Sequence, residues 1–158
     1  MSMTVEHRAY VERFALVLTD TGMQRMSARV LALFVCSDAP TLTGTAIAEQ
    51  LDVSAAAVSG AVRALQQAGL VRRVPAPGSR RDHYQLAGDG WADAGVARRE
   101  HLDALAALAG EGLGHVEPNG SAATRLQRMQ DLYAFLAEEI PALLARWRER
   151  QATQPAAD

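Results

Sequence analysis

The sequence contains no lysine and only one cysteine. Because Cys36 has no second cysteine to pair with, an intramolecular disulfide is excluded, as is common for proteins of reducing compartments. The chain also lacks a signal sequence and any apolar segment long enough to span a bilayer, so we expect a cytoplasmic protein without a membrane role. All 16 basic residues are arginine, which indicates codon usage in a GC-rich genome rather than a function.

The residue groups that would indicate an enzyme or a metal site are also missing. No Ser-His-Asp, Cys-His or paired-carboxylate arrangement and no glycine-rich phosphate loop can be found. None of the isolated histidines has the spacing of a zinc or iron ligand set: His7, His83, His101, His115. We therefore expect no catalysis, no cofactor and no metal. Cys36 ends an apolar helical run, which favours a small buried side chain with a raised pKa over an oxidant sensor.

Residues 43–86 have the order of elements expected of a winged helix-turn-helix. An amphipathic helix with Ile47 and Leu51 turned inward ends at Asp52, and Ser54 can cap a second helix that ends before Gly69. The second helix has an apolar face at helical spacing, formed by Val58, Ala61, Val62 and Leu65. We expect its opposite face and cap to contact DNA through Ser54, Ala55, Ala56, Ser59, Gly60 and Arg63.

Two short strand-like segments follow this helix. Residues 70–74 and His83–Leu86 are short strand-like runs, and the segment between them is rich in proline and contains Gly78. We therefore predict a hairpin wing. Arg80 and Arg81 would lie near its tip, where guanidinium groups can reach phosphates or a minor groove.

The distribution of charge supports a nucleic-acid partner, although the total does not. The whole chain has a net charge of −2, which alone argues against DNA binding. Residues 54–86, however, contain five arginines and one aspartate, so this segment has a charge of +4 and the rest of the chain −6. A basic face on an acidic body would orient the protein on DNA. The alternative is that these arginines form an ordinary solvated surface.

Several short motifs follow one another along nearly the whole chain. They are residues 22–34 (GMQRMSARVLALF), 46–51 (AIAEQL), 58–59, 65, 68–71 (AGLV), 77–82 (PGSRRD), 112–113, 125–126 and 140–147 (IPALLARW). Their order resembles the GbsR-like branch of the MarR superfamily. The resemblance implies a dimeric bacterial transcriptional regulator, commonly a repressor released by a small ligand. The second helix of the helix-turn-helix, which we call the reader helix, is richer in alanine and glycine than in many relatives, so we expect few strongly specified bases.

The segments that flank the winged module have apolar faces that need partners. Near the C-terminus, apolar residues recur at steps of three and four, which is the spacing of a heptad seam: Leu126, Met129, Tyr133, Leu136, Ile140, Leu143, Trp147. Pro141 interrupts this stripe, so we predict a break or kink near residues 139–140 and a last short helix beginning at Pro141. Upstream, Thr4 can cap another amphipathic helix. We expect these helices to form a homodimer, although an intramolecular bundle could also bury the stripes.

The predicted fold class is mainly α with a small β-wing, in a MarR-like arrangement with N- and C-terminal dimerisation helices. The predicted parts are a dimerisation helix at 4–20, a winged helix-turn-helix module at 22–88, linking and dimerisation helices at 89–150, and a loose tail at 151–158.

Two questions stay open at the level of sequence. Trp91, His101, Tyr133 and Tyr10 could line a cleft for an effector, or they could only pack a helix junction. The chain could also be a winged-helix adaptor that binds a protein and no DNA, which the small side chains of the reader helix favour. Arg63, Arg80 and Arg81, with little acid around them, favour a DNA-binding regulator, the function that we predict.

Overall fold

The computed structural model describes residues 3–88 and 90–153, without the side chains of 90–98. The chain divides into two compact units, Met1–Gly90 and Trp91–Asp158. The elements of the first unit are α1 (Val5–Asp20), α2 (Arg25–Val35), β1 (Leu42–Thr43), α3 (Gly44–Leu51), α4 (Ala55–Gln67), β2 (Val71–Val74) and β3 (His83–Leu86). The second contains α5 (Gly90–Gly112), a 3-10 turn (Leu113–His115) and α6 (Ser121–Thr153). The described chain is therefore mainly helical with one small sheet, as the sequence predicts.

Hydroxyl caps determine where three of the helices begin. The hydroxyl oxygens of Thr4, Thr43 and Ser54 accept hydrogen bonds from the third backbone amide after each of them, at 3.2, 3.1 and 3.2 Å. Each cap satisfies one amide that the helix itself leaves unpaired. The caps predicted at Thr4 and Ser54 are thus confirmed, and α3 and α4 meet in the tight turn of a helix-turn-helix.

The core of the first unit is built around α2. Its residues Val30, Leu31, Ala32 and Leu33 are at most 1% exposed, and the inward faces of α1, α3 and α4 are also buried. Arg29 joins three of these helices: its guanidinium donates to the carboxylate of Glu12 on α1 and, at 3.0 Å, to the Leu51 carbonyl that ends α3. A cation at the C-terminus of a helix is also favoured by the helix dipole.

The sheet is antiparallel and has the strand order β1-β3-β2. In the hairpin, Val71 faces Leu86 and Val74 faces His83, so the predicted wing is confirmed as a regular ladder. The third strand, β1, pairs Leu42 with Tyr84 and was not predicted from the sequence. It fixes β3 at the centre of the sheet and places the wing next to the start of α3.

In the second unit, the end of α5 packs closely against the start of α6. A Cβ atom built on Gly112 would lie 3.2 Å from Leu126 Cδ1, and Ala106, Ala109 and Ala137 are buried. Small residues thus allow these helices to approach each other. Leu126, which the sequence assigns to a dimer seam, also packs within its own chain.

Two expectations about the C-terminus were wrong. We predicted a break or kink near residues 139–140 and a last short helix beginning at Pro141. The break and the new helix are wrong, because α6 is a single helix of 33 residues that contains Pro141 in its interior. Proline removes only one hydrogen bond of the helix, and its cost of about 3 kcal/mol can be offset by the packing of a long helix. The helix also continues to Thr153, three residues into the segment predicted to be loose, whereas 154–158 lie outside the described residues.

Candidate nucleic-acid interface

Helix α4 presents a buried face to the core and a face of small and basic residues to solvent. Val58, Ala61, Val62 and Leu65 are at most 4% exposed. On the other side, all the side chains predicted to contact DNA are exposed: Ser54, Ala55, Ala56, Ser59, Gly60, Arg63. The helical period alone therefore placed this face correctly, because inward residues of an amphipathic helix determine which residues must face outward.

The wing ends in a tight turn that positions two arginines. The Ser79 amide donates to the Ala76 carbonyl at 3.0 Å, and Gly78 has a φ of 84°. Proline at the second position and a positive φ at the third are the features of a type II turn, in which glycine is favoured because it has no Cβ. Arg80 and Arg81 follow directly and are exposed.

The basic residues of this region fall into two groups. Arg73 lies 3.4 Å from the Asp82 carboxylate, and Arg72 donates to the amide oxygen of Gln85 at 3.0 Å when that amide is oriented to accept. In contrast, the guanidinium groups of Arg63, Arg80 and Arg81 make no hydrogen bond or ion pair with any residue that the structure describes. These three cations are therefore available for phosphates or bases, since no internal partner must be displaced.

A groove joins the helix to the wing. It has a volume of about 290 Å³ and is lined by Thr43, Gly44, Thr45, Ala55, Val58, Ser59, Val62, Arg81, Asp82 and Tyr84. The structure thus brings together predicted contact residues that are far apart in sequence, namely Ala55 and Ser59 on α4 and Arg81 on the wing. We call this continuous surface of α4 and the wing the reading face.

The structure also shows polar contacts at the loop end of the wing that sequence analysis missed. His83 Nδ1 lies 3.1 Å from Thr41 Oγ1, and His83 Nε2 lies 3.1 Å from Ser79 Oγ. The sequence gives no sign of this bridge, because Thr41 is 42 positions away and histidine is common on surfaces.

Residues predicted for the dimer seam are not fully covered in the single chain. Leu126, Met129, Tyr133, Leu136 and Ile140 are half-buried, whereas Leu143 and Trp147 are exposed. Their neighbours Leu132 and Phe135 are more than half exposed. At about 100° per residue, Leu132, Phe135, Leu143 and Trp147 all fall within an arc of about 120° on α6. This arc, which we call the α6 apolar face, lacks a partner within the described chain.

The structure says less about the residues that are predicted to hold a ligand. His101 is exposed and Tyr133 is half-buried, and the side chain of Trp91 lies outside the described residues. Tyr10, on α1, is half exposed and stacks on Phe14 with ring centroids 6.4 Å apart. The role of these residues in ligand binding stays a prediction.

Cys36 differs in part from its prediction. It is half-buried, not fully buried, and caps the C-terminal end of α2. Burial raises the pKa of its thiol, as predicted, which disfavours the reactive thiolate. The residue lines a cavity of about 320 Å³ with His7, Leu33 and Asp38 among its neighbours. Within residues 3–88 and 90–153, no cluster of three or more histidine, cysteine or acidic side chains could hold a metal ion.

The described helices include none that is long and apolar enough to cross a bilayer.

Comparison with known proteins identifies the family. A model described as the MarR family matches residues 21–82, and a model of MmpR5-like MarR family transcriptional regulators matches residues 89–150. The first match covers α2 to the tip of the wing and ends before β3, and the second covers most of the two long helices that follow. The chain belongs to the MarR family. It is accordingly a DNA-binding transcriptional regulator and not an enzyme.

The chain is also similar to individual proteins. The chain is 26% identical over 147 residues to the HTH-type transcriptional regulator MmpR5 of Mycobacterium tuberculosis, which covers 89% of this chain and 86% of that protein. A crystal structure of a transcriptional regulator has the same fold, with a TM-score of 0.78 and 24% identity over 91% of this chain and 99% of the other. The transcriptional regulator PA4135 has a TM-score of 0.42 and 19% identity over 95% and 91% of the two chains. The GbsR-like branch stays a prediction from motif order.

Proposed function

We propose that this MarR-family protein is a homodimeric repressor that binds a pseudo-palindromic operator and is released by a small molecule. The observation that carries the DNA-binding geometry is the reading face, where Arg63, Arg80 and Arg81 are exposed and have no internal partner among the described residues. In this proposal α4 enters the major groove, where Arg63 contacts base edges or helps to position the helix. The wing arginines contact phosphates or the adjacent minor groove.

The small residues of α4 determine what kind of specificity is expected. Ala55, Ala56 and Gly60 offer no side-chain hydrogen bonds, so direct readout depends on Ser54, Ser59 and Arg63. We therefore expect short specified half-sites, with DNA shape providing the remaining discrimination.

The proposed homodimer is supported by the α6 apolar face. Leu132, Phe135 and Leu143 are 54–58% exposed in the single chain, and covering the exposed part of each side chain would stabilise by roughly half of the 1.5–3 kcal/mol that full burial gives. On α1, Tyr10 and Val17 are also at least half exposed. A two-fold dimer with one α4 per subunit would favour inverted half-sites whose centres are about 10 base pairs apart, or a multiple of that distance.

The proposed release by a ligand rests on the aromatic and imidazole groups predicted from the sequence. Trp91, His101 and Tyr133 would supply apolar area and a few polar atoms, which is the usual composition of small-molecule sites. Repression predicts that deletion of the gene raises transcription from its own or a neighbouring promoter, which a reporter fusion measures.

The decisive experiment compares DNA affinity in matched arginine variants. Wild-type protein, Arg80→Ala/Arg81→Ala and Arg63→Ala are titrated against upstream intergenic DNA and random DNA at two salt concentrations. The wing variant should lose affinity for both DNAs, and its log-log salt slope should fall by about one to two units, because each lost phosphate contact removes about 0.9. Arg63→Ala should instead reduce the difference between specific and random DNA, by about 1–3 kcal/mol if the contact is bidentate.

A charge-matched control separates these effects from a general change in net charge. Arg8 and Arg25 are exposed on α1 and α2, so Arg8→Ala/Arg25→Ala removes the same charge outside the reading face. This variant should keep the wild-type slope. If the wing variant behaves like this control while it remains folded, the proposed reading face is wrong. If the wild type binds DNA only weakly, the adaptor becomes the better description.

A further inference from the structure

We propose that His83 is a positioning residue that orients Arg81 for contact with DNA. This inference rests on the proposed role of the wing in DNA binding. It goes beyond that role, because it assigns the geometry of the wing tip to a chain of hydrogen bonds formed by Thr41, His83, Ser79 and Arg81. We call this chain the wing relay.

The first part of the wing relay ties the wing to the body of the first unit. His83 lies on the central strand β3, where it faces Thr43 of β1 on one side and Val74 of β2 on the other. Its Nδ1 atom is 3.1 Å from Thr41 Oγ1, and Thr41 immediately precedes β1. The imidazole is therefore anchored to a segment outside the hairpin.

The second part reaches the backbone of Arg81. His83 Nε2 is 3.1 Å from Ser79 Oγ. The same hydroxyl oxygen accepts from the Arg81 amide at 3.1 Å, and it lies 3.3 Å from the Arg81 carbonyl. Both backbone groups of Arg81 thus meet one side chain, which fixes the direction in which the arginine leaves the wing.

The hydrogen-bond inventory assigns the protons in this chain. The Ser79 hydroxyl has one proton, and the Arg81 carbonyl can only accept, so the hydroxyl donates to that carbonyl. Nε2 of His83 must then donate to Ser79 Oγ, while Nδ1 on the other side of the ring is hydrogen-bonded to the Thr41 hydroxyl. The wing relay therefore requires a proton on Nε2 of His83.

A fixed wing tip affects binding because ordering it on DNA has an entropic cost. Arg81 is exposed, and its guanidinium has no partner in the described part of the chain. Without the wing relay, the backbone of residues 79–81 would have to be ordered when DNA binds. Preorganisation removes that cost and so holds Arg81 on its phosphate, a contact that we expect a disordered wing tip to lose.

The test uses two amide substitutions that each keep one half of the bridge. In His83→Gln the side-chain amide can reach the position of Nε2 and so contact Ser79. In His83→Asn it can reach only the position of Nδ1 and contact Thr41. We expect His83→Ala and His83→Asn to weaken DNA binding and His83→Gln to restore it. If His83 only helped the sheet to fold, the glutamine and asparagine variants should not differ in DNA binding.

The salt dependence of DNA binding gives the size of the effect that we expect for His83→Ala. Loss of one phosphate contact lowers the log-log slope by about 0.9, so the loss of affinity between 50 and 200 mM salt should be about 3.5-fold smaller in His83→Ala than in wild type. In an Arg81→Ala background, His83→Ala should have no further effect on the slope. His115→Ala, which removes an exposed imidazole of the second unit, should match wild type.

The outcomes separate the two proposals. If Arg81→Ala leaves affinity and slope unchanged, the proposed wing contact fails and the inference about His83 fails with it. If Arg81→Ala weakens binding but His83→Ala does not, only the role of His83 is overturned. Equal binding by the glutamine and asparagine variants also overturns it. An ¹⁵N spectrum of the imidazole that shows the Nδ1–H tautomer would contradict the assigned direction of the wing relay.

Discussion

At position 60 on α4, we expect alanine to favour stability and glycine to favour DNA binding. It lies in the interior of the helix, and a Cβ atom built on it would meet nothing within 4 Å. The fold therefore has no packing reason for glycine there. Gly60→Ala should raise the free energy of unfolding by about 1 kcal/mol, because alanine has the higher helix propensity. Chemical denaturation of both proteins measures this difference.

The same substitution should weaken DNA binding if α4 lies deep in a groove. A methyl group on the reading face would then meet DNA that approaches the helix backbone closely. Ala64→Gly, at another exposed position of α4, provides the reverse control for helix propensity. If Gly60→Ala gained stability and kept full affinity, close approach of DNA at this position would be disproved.

Single residues of the reading face were predictable where local periodicity determines them. Val58 and Leu65 had to face inward, and the exposure of Ser59 and Arg63 followed from the same period. His83 could not be found in this way, because its partner Thr41 is brought close only by the pairing of β1 with β3. Which arginines are unpaired also depends on neighbours across the hairpin, such as Gln85 opposite Arg72.

The secondary-structure elements also divide into those determined by neighbouring residues and those that depend on residues far away in the chain. Helices α1, α3 and α4 begin at side-chain caps, and α4 is followed by Gly69 with a φ of 72°, so their ends are encoded locally. Strand β1 has only two residues and depends on pairing with β3, so it leaves no pattern in the sequence. Pro141 shows the opposite case, in which a strong local signal is overridden by a long helix.

Pro141 should make α6 less stable than the same helix with alanine at this position. Within a helix, proline lacks the amide that would donate to the carbonyl four residues earlier, and it is about 3 kcal/mol less favourable than alanine. Pro141→Ala should therefore stabilise the protein by up to about 3 kcal/mol, as measured by denaturant unfolding at constant protein concentration.

The matched control is Pro77→Ala in the turn of the wing. Pro77 occupies a position of a type II turn that suits proline, so its replacement should destabilise by about 0.4–1 kcal/mol through the entropy of the unfolded chain. The two proline substitutions thus have opposite expected signs. A loss of stability in Pro141→Ala would mean that the fold requires the helix geometry that proline imposes.

At the scale of the whole molecule, the α6 apolar face should determine the oligomeric state. Phe135 is 58% exposed in the single chain, so Phe135→Asp should cost the isolated chain little. In the proposed dimer the same change would bury an unpaired carboxylate, at a cost of several kcal/mol. Light scattering at micromolar concentration should therefore give a dimer mass for wild type and a monomer mass for the variant.

Ala134→Asp is the control for this experiment. Ala134 is the preceding residue on α6, is exposed, and lies outside the apolar arc. It should keep the dimer. A monomeric wild type would remove the proposed dimer and, with it, the inverted-repeat operator. A dimeric Phe135→Asp would place the subunit contact elsewhere on the chain.

Arg29 gives the first unit a further property, which is mechanical. Its guanidinium connects Glu12 of α1 to the last carbonyl of α3, and α3 leads directly into α4. If α1 contributes to the subunit contact, as we propose, this one side chain stiffens the path from that contact to the helix that enters DNA. The distance between the two α4 helices of a dimer would then be fixed. Spacer length between half-sites would be discriminated without any base in the spacer being contacted.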